Sequence, residues 1–194
     1  MFSLVRIGAV LIALASAVAV KAGDPPDQPR RVRHQITGLF NSAREADLRE
    51  TFQQLPEFKL ISVDFDNAEA VVEYIPAKVF AGAKDSDEIV KRFDAKLRSV
   101  SYGTFGVKPL RSIPKEKLQR IEIGVVGHEC KGCCLATYEA VYKLDGVEWA
   151  TASFKEGRVV ALVDPTKIDR ARLEEALRKR GVRLKPGTTS GGDR

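Results

Sequence analysis

The sequence predicts an α+β protein made of two tandem ferredoxin-like (βαββαβ) domains behind a signal peptide, and three observations lead there. The chain matches itself without gaps at an offset of 89 residues, from Gly38 over Gly127 to Pro76 over Pro165. In both copies the apolar pattern switches between the alternation of a strand and the three-to-four spacing of a helix, in the order strand, helix, strand, strand, helix, strand. Ahead of both copies, MFSLVR carries one positive charge and IGAVLIALASAVAV follows as an uncharged run of fourteen residues.

That leading run has the form of a signal peptide. It is shorter than the roughly 20 apolar residues a spanning helix needs, and small residues suited to cleavage follow it, so a cut is expected after Ala22. The expected organisation is then a signal peptide over 1–22, a flexible leader over 23–34, a first domain over 35–110, a second over 118–186 and a disordered tail over 187–194. The Gly, Pro and Ser content of GDPPDQPRR and PGTTSGGDR supports the two flexible ends. An exported protein, periplasmic or secreted, with no stable membrane insertion after cleavage is implied.

The repeat places several core positions at once. Leu55 lies over Leu144, Phe58 over Val147, Phe65 over Phe154 and Val71 over Val160. After the prolines the offset drops to 80, which sets RFDAKLR (92–98) over RLEEALR (172–178) and gives the first copy nine extra residues around AKVFAGAKDSDE. A recurring supersecondary unit of this length reads as one small domain used twice.

In the second copy QRIEIGVV alternates as a half-buried strand should. Thr137, Ala140, Val141 and Leu144 recur at helical spacing, and Asp145-Gly146 is expected to end that helix with a residue that tolerates positive φ. VEWATASF and RVVALV read as a hairpin across Lys155-Glu156-Gly157. Asp169 is expected to cap the second helix, with Ile168 packing on Leu173 as a hydrophobic staple and Leu173, Ala176 and Leu177 as its buried face. Gly181 closes that helix, and Val182 to Leu184 make a last short strand. The first copy repeats the scheme with VRHQITGL, a helix around Leu48, Phe52 and Leu55, then FKLISVDF, AVVEYI and a helix around Ile89, Phe93 and Leu97.

Charge narrows the function classes. Without Arg6 and Lys21 the 32 basic residues become 30 against 26 acids, so the net charge falls from +6 to +4. The basic residues are interspersed with acids, as in READLRE and DRARLEEALRKR, and no stripe suited to nucleic acid forms. No catalytic triad, phosphate loop or supported carboxylate pair is present, so a binding protein is expected and not an enzyme.

All three cysteines lie in GHECKGCC, Gly127 to Cys134. Exported proteins ordinarily space cysteines apart to staple loops, which a cluster cannot do. Cys130 in the loop and Cys133 in the helix's first turn can turn both sulfurs toward one point. Cys133 sits where unpaired backbone N–H groups and the helix dipole favour a thiolate, and Lys131 adds positive charge nearby. Soft thiolates without carboxylate partners suit Cu(I) first, with Hg(II), Cd(II) or Zn(II) as alternatives, and reject Mg or Ca. A four-ligand zinc set would need Cys130, Cys133, Cys134 and His128 together, although Cys133 and Cys134 diverge by about 100° on a helix. Cys134, at the edge of the buried stripe, reads first as a packed small residue and second as a further ligand. His128 reads first as a loop residue near the metal and second as a ligand. An HExxH protease start fails, because position 132 is Gly132. His34, Trp149, Tyr138 and Tyr142 read as core or rim packing.

The second domain resembles the heavy-metal-associated domain of copper chaperones, metal-pumping ATPases and periplasmic mercury-binding proteins. The family's glycine, methionine, variable residue and C-x-x-C stand here as Gly127-His128-Glu129-Cys130-Lys131-Gly132-Cys133, with LDGVEWATASF and VVALVDPTKID in the places of its later strands and helix start. His128 replaces the methionine, Cys134 is an added thiol and Val182 follows Gly181 where aromatic or lysine residues often shield the site. The first domain resembles a copy of the module that lacks the thiols, since Asn41 and Arg44 stand opposite Cys130 and Cys133. The resemblance implies a soft-metal site at Cys130 and Cys133 and a metal-donating or metal-accepting protein as partner. Two rival readings use the same chain: a thiol–disulfide redox protein, and an interaction module with incidental thiols.

Overall fold

The computed structural model describes residues 27–186. The expected signal peptide over 1–22, the first four residues of the expected leader (23–26) and the expected tail over 187–194 lie outside those residues. The first domain contains β1 (Arg30–Thr37), α1 (Arg44–Phe52), β2 (Lys59–Asp64), β3 (Glu69–Tyr74), a one-turn α2 (Pro76–Val79), α3 (Ser86–Val100) and β4 (Gly106–Lys108). The second contains β5 (Gln119–Val126), α4 (Lys131–Tyr142), β6 (Val147–Ser153), β7 (Arg158–Val163), α5 (Arg170–Lys179) and β8 (Arg183–Leu184). The two sheets run β2-β3-β1-β4 and β6-β7-β5-β8. Each is antiparallel throughout and follows the ferredoxin-like βαββαβ order, so the α+β class and the twofold use of one unit both stand.

Two boundaries differ from the sequence expectation. The first strand begins at Arg30, where Arg30 pairs with Tyr74, so residues 30–34 belong to the first sheet and not to a flexible leader. Arg31 and Arg33 face outward beside Glu73 and Glu69, and Val32 and His34 alternate with them toward the core. Helix α4 ends at Tyr142, and Gly146, at φ 91°, turns the chain into β6. The nine extra residues of the first copy supply α2 and Phe80. That ring packs among Phe58, Tyr74 and Phe93 and enlarges the first domain's core.

The helix starts follow capping chemistry. Asp169 accepts the Arg172 N–H at 3.0 Å to open α5. Asp85 accepts the Glu88 N–H at 2.8 Å, and the Glu88 carboxylate accepts the Lys84 N–H at 2.9 Å, a reciprocal pair that starts α3. Ile168 and Leu173 share the second core, with Leu177.

Each half has its own core, yet the halves are joined through the first copy's counterpart of the thiol loop. Phe40 is 1% exposed and belongs to the second domain's core, where its ring lies 6.2 Å from that of Tyr138. The Ala152 N–H donates to the Phe40 carbonyl at 2.9 Å, so the outer edge of β6 is capped by the first domain. The Gly38 N–H donates to the Tyr138 hydroxyl, the Trp149 indole N–H to the Phe65 carbonyl, and the Gln35 amide to the Glu148 carbonyl. Lys108 lies 4.8 Å from the centre of the Tyr142 ring and 3.7 Å from the Glu148 carboxylate. Among the described residues no helix is long and apolar enough to cross a membrane.

Candidate metal-binding site

The candidate site begins where β5 ends. Val126 pairs with Arg183 as the last ladder position, and the chain then leaves the sheet over Gly127. A Cβ on Gly127 would stand 2.7 Å from the Phe154 ring, so only glycine lets the loop lie this close to the β6–β7 turn. Gly38 holds the equivalent place in the first copy at φ 92°. Residues Gly127 to Cys133 are all exposed.

Cys130 is the N-cap of α4. Its backbone is extended, at φ −136° and ψ 149°, and its sulfur accepts the Cys133 N–H at 3.0 Å. The helix-start donor therefore reaches Cys130, one turn ahead of the cysteine to which sequence reasoning assigned it. The Cα atoms of Cys130 and Cys133 are 5.1 Å apart, and the two sulfurs are joined as a disulfide. The spacing that places both sulfurs at one point thus holds in the oxidised pair. Two electrons and two protons convert it to the dithiol, and the thiolates are the form that takes a soft cation.

The other candidates are placed differently. Cys134 is 1% exposed and packed in the second core, and burial pushes its thiol above the usual range. Cys133 and Cys134 therefore lie about 100° apart around the helix, the first exposed and the second buried. His128 lies in the exposed loop. Among the described residues no group of three or more His, Cys, Asp and Glu side chains gathers around one point. The structure brings Cys130 and Cys133 together and does not add Cys134 or His128 to them. In the first domain the counterparts are Asn41, beside the interdomain joint, and Arg44, which is buried, pairs with Asp47 and stands over the Phe40 ring.

Two neighbours of the site were not legible as such in the sequence. Asp47, from the first domain, lies 3.4 Å from the Lys131 ammonium and offsets part of the positive charge beside the sulfurs. Glu129 turns toward the β6–β7 turn, where its carboxylate accepts the Lys155 N–H at 2.6 Å.

The donor set fits a soft metal ion. It offers two sulfurs at the surface, a backbone N–H aimed at one of them, a lysine alongside and no converging carboxylate.

No family model and no curated protein matches the chain. Several solved structures match the chain. The CopZ metallochaperone is 24% identical, covering 34% of this chain and 100% of its own, at a TM-score of 0.33. A copper binding domain from HMA7, a P-type ATPase, is 23% identical, covering 34% and 89%, at 0.33. The N-terminal soluble domains of Bacillus subtilis CopA are 18% identical and span both halves, covering 86% of this chain and 99% of that one, at 0.34.

Proposed function

We propose that this chain is an exported carrier of a soft metal ion, Cu(I) before Hg(II), Cd(II) or Zn(II), which it holds on Cys130 and Cys133 and passes to a partner protein. The observation that carries the reading is the pair of exposed sulfurs set 5.1 Å apart at Cα on the start of α4, with the third thiol turned into the core. Two thiolates satisfy Cu(I), whereas a structural zinc wants four ligands. The ion is cargo, and the protein's work is binding and release without catalysis.

Exposure sets the mechanism of release. A ligand sulfur from a partner can reach the ion before Cys130 or Cys133 lets go, so exchange proceeds through a three-sulfur intermediate and does not wait for a bare ion to escape. The first domain lends this site the Asp47 contact to Lys131. Export rests on the amino-terminal charge and apolar run.

Transfer kinetics test this reading. Cu(I)-loaded protein mixed with a thiol chelator should lose its ion at a rate that rises in proportion to chelator concentration. A rate independent of chelator would mean the ion must leave first, and the exchange mechanism would fail.

The disulfide between Cys130 and Cys133 favours one second reading, a thiol–disulfide redox protein on the same pair. Its test is the reduction potential: a pair that exchanges with glutathione within minutes and takes up no metal when reduced would put this reading ahead.

A further inference from the structure

We infer that Asp47 of the first domain is a positioning residue that ties down the Lys131 ammonium, and so sets how strongly the Cys130 and Cys133 pair draws a negatively charged incoming thiolate. This role rests on the proposed sulfur exchange at that pair and gives the first domain a part in selecting what the pair reacts with. Lys131 opens α4 between the two cysteines and carries the cation nearest to them in the sequence. Its Nζ donates to the Asp47 Oδ2 at 3.4 Å, across the joint between the domains.

An exposed ion pair of two long, loose side chains contributes little, because ordering both offsets the attraction. Here one side is already ordered. The same Asp47 oxygen pairs with Arg44, which is 7% exposed and stands 5.3 Å over the ring of Phe40, the residue buried in the second domain's core. Only Lys131, whose side chain is 75% exposed, remains to be ordered when the contact forms. The nearby Glu129 carboxylate is turned to the Lys155 N–H, and among the described residues Asp47 is the one acid within ion-pair distance of Lys131. Arg44 lies over Cys133 in the repeat, so the position that carries a thiol in the second copy seats, in the first, the carboxylate that reaches the second copy's site.

The contact has a consequence for incoming ligands. With Asp47 in place, the ammonium is held at the joint and part of its field is cancelled. Without Asp47, Lys131 is a full point charge on a flexible four-carbon stem beside the sulfurs. Such a charge raises the local concentration of anions and speeds their encounter, and salt screens the effect.

The test uses the protein with its Cys130–Cys133 disulfide intact and no metal. Two small thiols reduce it in parallel: 2-mercaptoethanesulfonate, which carries an extra negative charge, and cysteamine, which carries a positive one. In both reactions a thiolate attacks one disulfide sulfur and releases the other as a thiolate. A second small thiolate then removes the first as a small disulfide, so two small thiols are oxidised for each protein disulfide reduced. The ratio of the two rates reads charge and cancels any change in the accessibility of the sulfurs. Asp47→Asn should raise the ratio of anionic to cationic rate about twofold to fivefold at low ionic strength, the range an exposed ion pair supports, and high salt should remove the rise. Lys131→Gln should lower the ratio below that of the wild type, and adding Asp47→Asn to it should bring no further change.

An unchanged ratio in Asp47→Asn would overturn this role. A rise just as large in the Lys131→Gln background would also overturn it, because Asp47 would then act as a bare charge and not through Lys131. Failure of the reduced protein to take up Cu(I) would sink the carrier reading, and the rate ratios would still decide the role of Asp47.

Discussion

At the residue scale, two side chains show how place overrides residue type. His34 lies in β1 with its Nε2 3.2 Å from the Tyr74 hydroxyl and its ring 5.0 Å from that of Phe93. Burial lowers its pKa from 6.5 to about 4. Because the folded value lies below the unfolded one, the neutral ring stabilises the fold above pH 6.5, and that contribution is lost as the pH falls toward 4. Urea unfolding should therefore show the protein losing about 3 kcal/mol from this group between pH 7 and pH 4. A His34→Gln variant, which does not titrate, should show a shallower fall over the same range, and identical slopes would contradict the assignment. The sequence supports a structural role for His34, and its neighbours come from β3 and α3, which no local pattern names. Asp169 was readable as a cap because capping is a local event. Cys130 was not, because whether a residue is the cap or lies one turn inside depends on where the helix starts, the least certain feature of any periodic pattern.

At the scale of elements, the strands and helices of the second domain were nearly complete in the sequence. QRIEIGVV matches β5 end to end, because its alternating residues face one core. The first domain was harder. Its opening strand carries arginines on the outer face, and its fourth strand spans only Gly106–Lys108, too short to show an alternation. The loop between β5 and α4 depends on the close approach of Gly127 to Phe154 and on the Glu129 bond to the Lys155 N–H. Gly127→Ala should push the loop from the turn, at a cost of about 1–3 kcal/mol for overpacking. Thermal unfolding should show a lowered midpoint, and Cu(I) affinity should fall with it. An alanine variant with unchanged midpoint and affinity would mean that the loop moves freely and that its docking on Phe154 does not matter.

At the scale of the whole molecule, the sequence announced two domains and concealed how they meet. Tyr138, Tyr142 and Trp149 sit at positions where packing was expected, but core, rim and interdomain surfaces all draw on the same apolar and aromatic residues. Only the third dimension separates them. The loss of cysteines from the first copy has a physical counterpart here: the loop that carries thiols in the second domain carries Phe40 in the first, and it is buried across the free edge of β6. The first domain is thus the covering partner of the second. Phe40→Ala should cost about 3–5 kcal/mol by removing a buried ring, and should split one cooperative unfolding transition into two. Trp149, which donates to the Phe65 carbonyl across the joint, should report the earlier step by a red shift of its emission. A single transition with unshifted emission would show that the two halves are coupled some other way.

The central claim is that Cys130 and Cys133 hold one soft ion. Its most direct test is an anaerobic Cu(I) titration of the reduced mature protein against a competing chelator, beside a Cys130→Ser, Cys133→Ser variant of equal fold by circular dichroism. The account predicts tight uptake of one ion per chain by the wild type and none by the variant. A well-folded wild type that leaves all the copper with the chelator, or a variant that takes up as much, would contradict it.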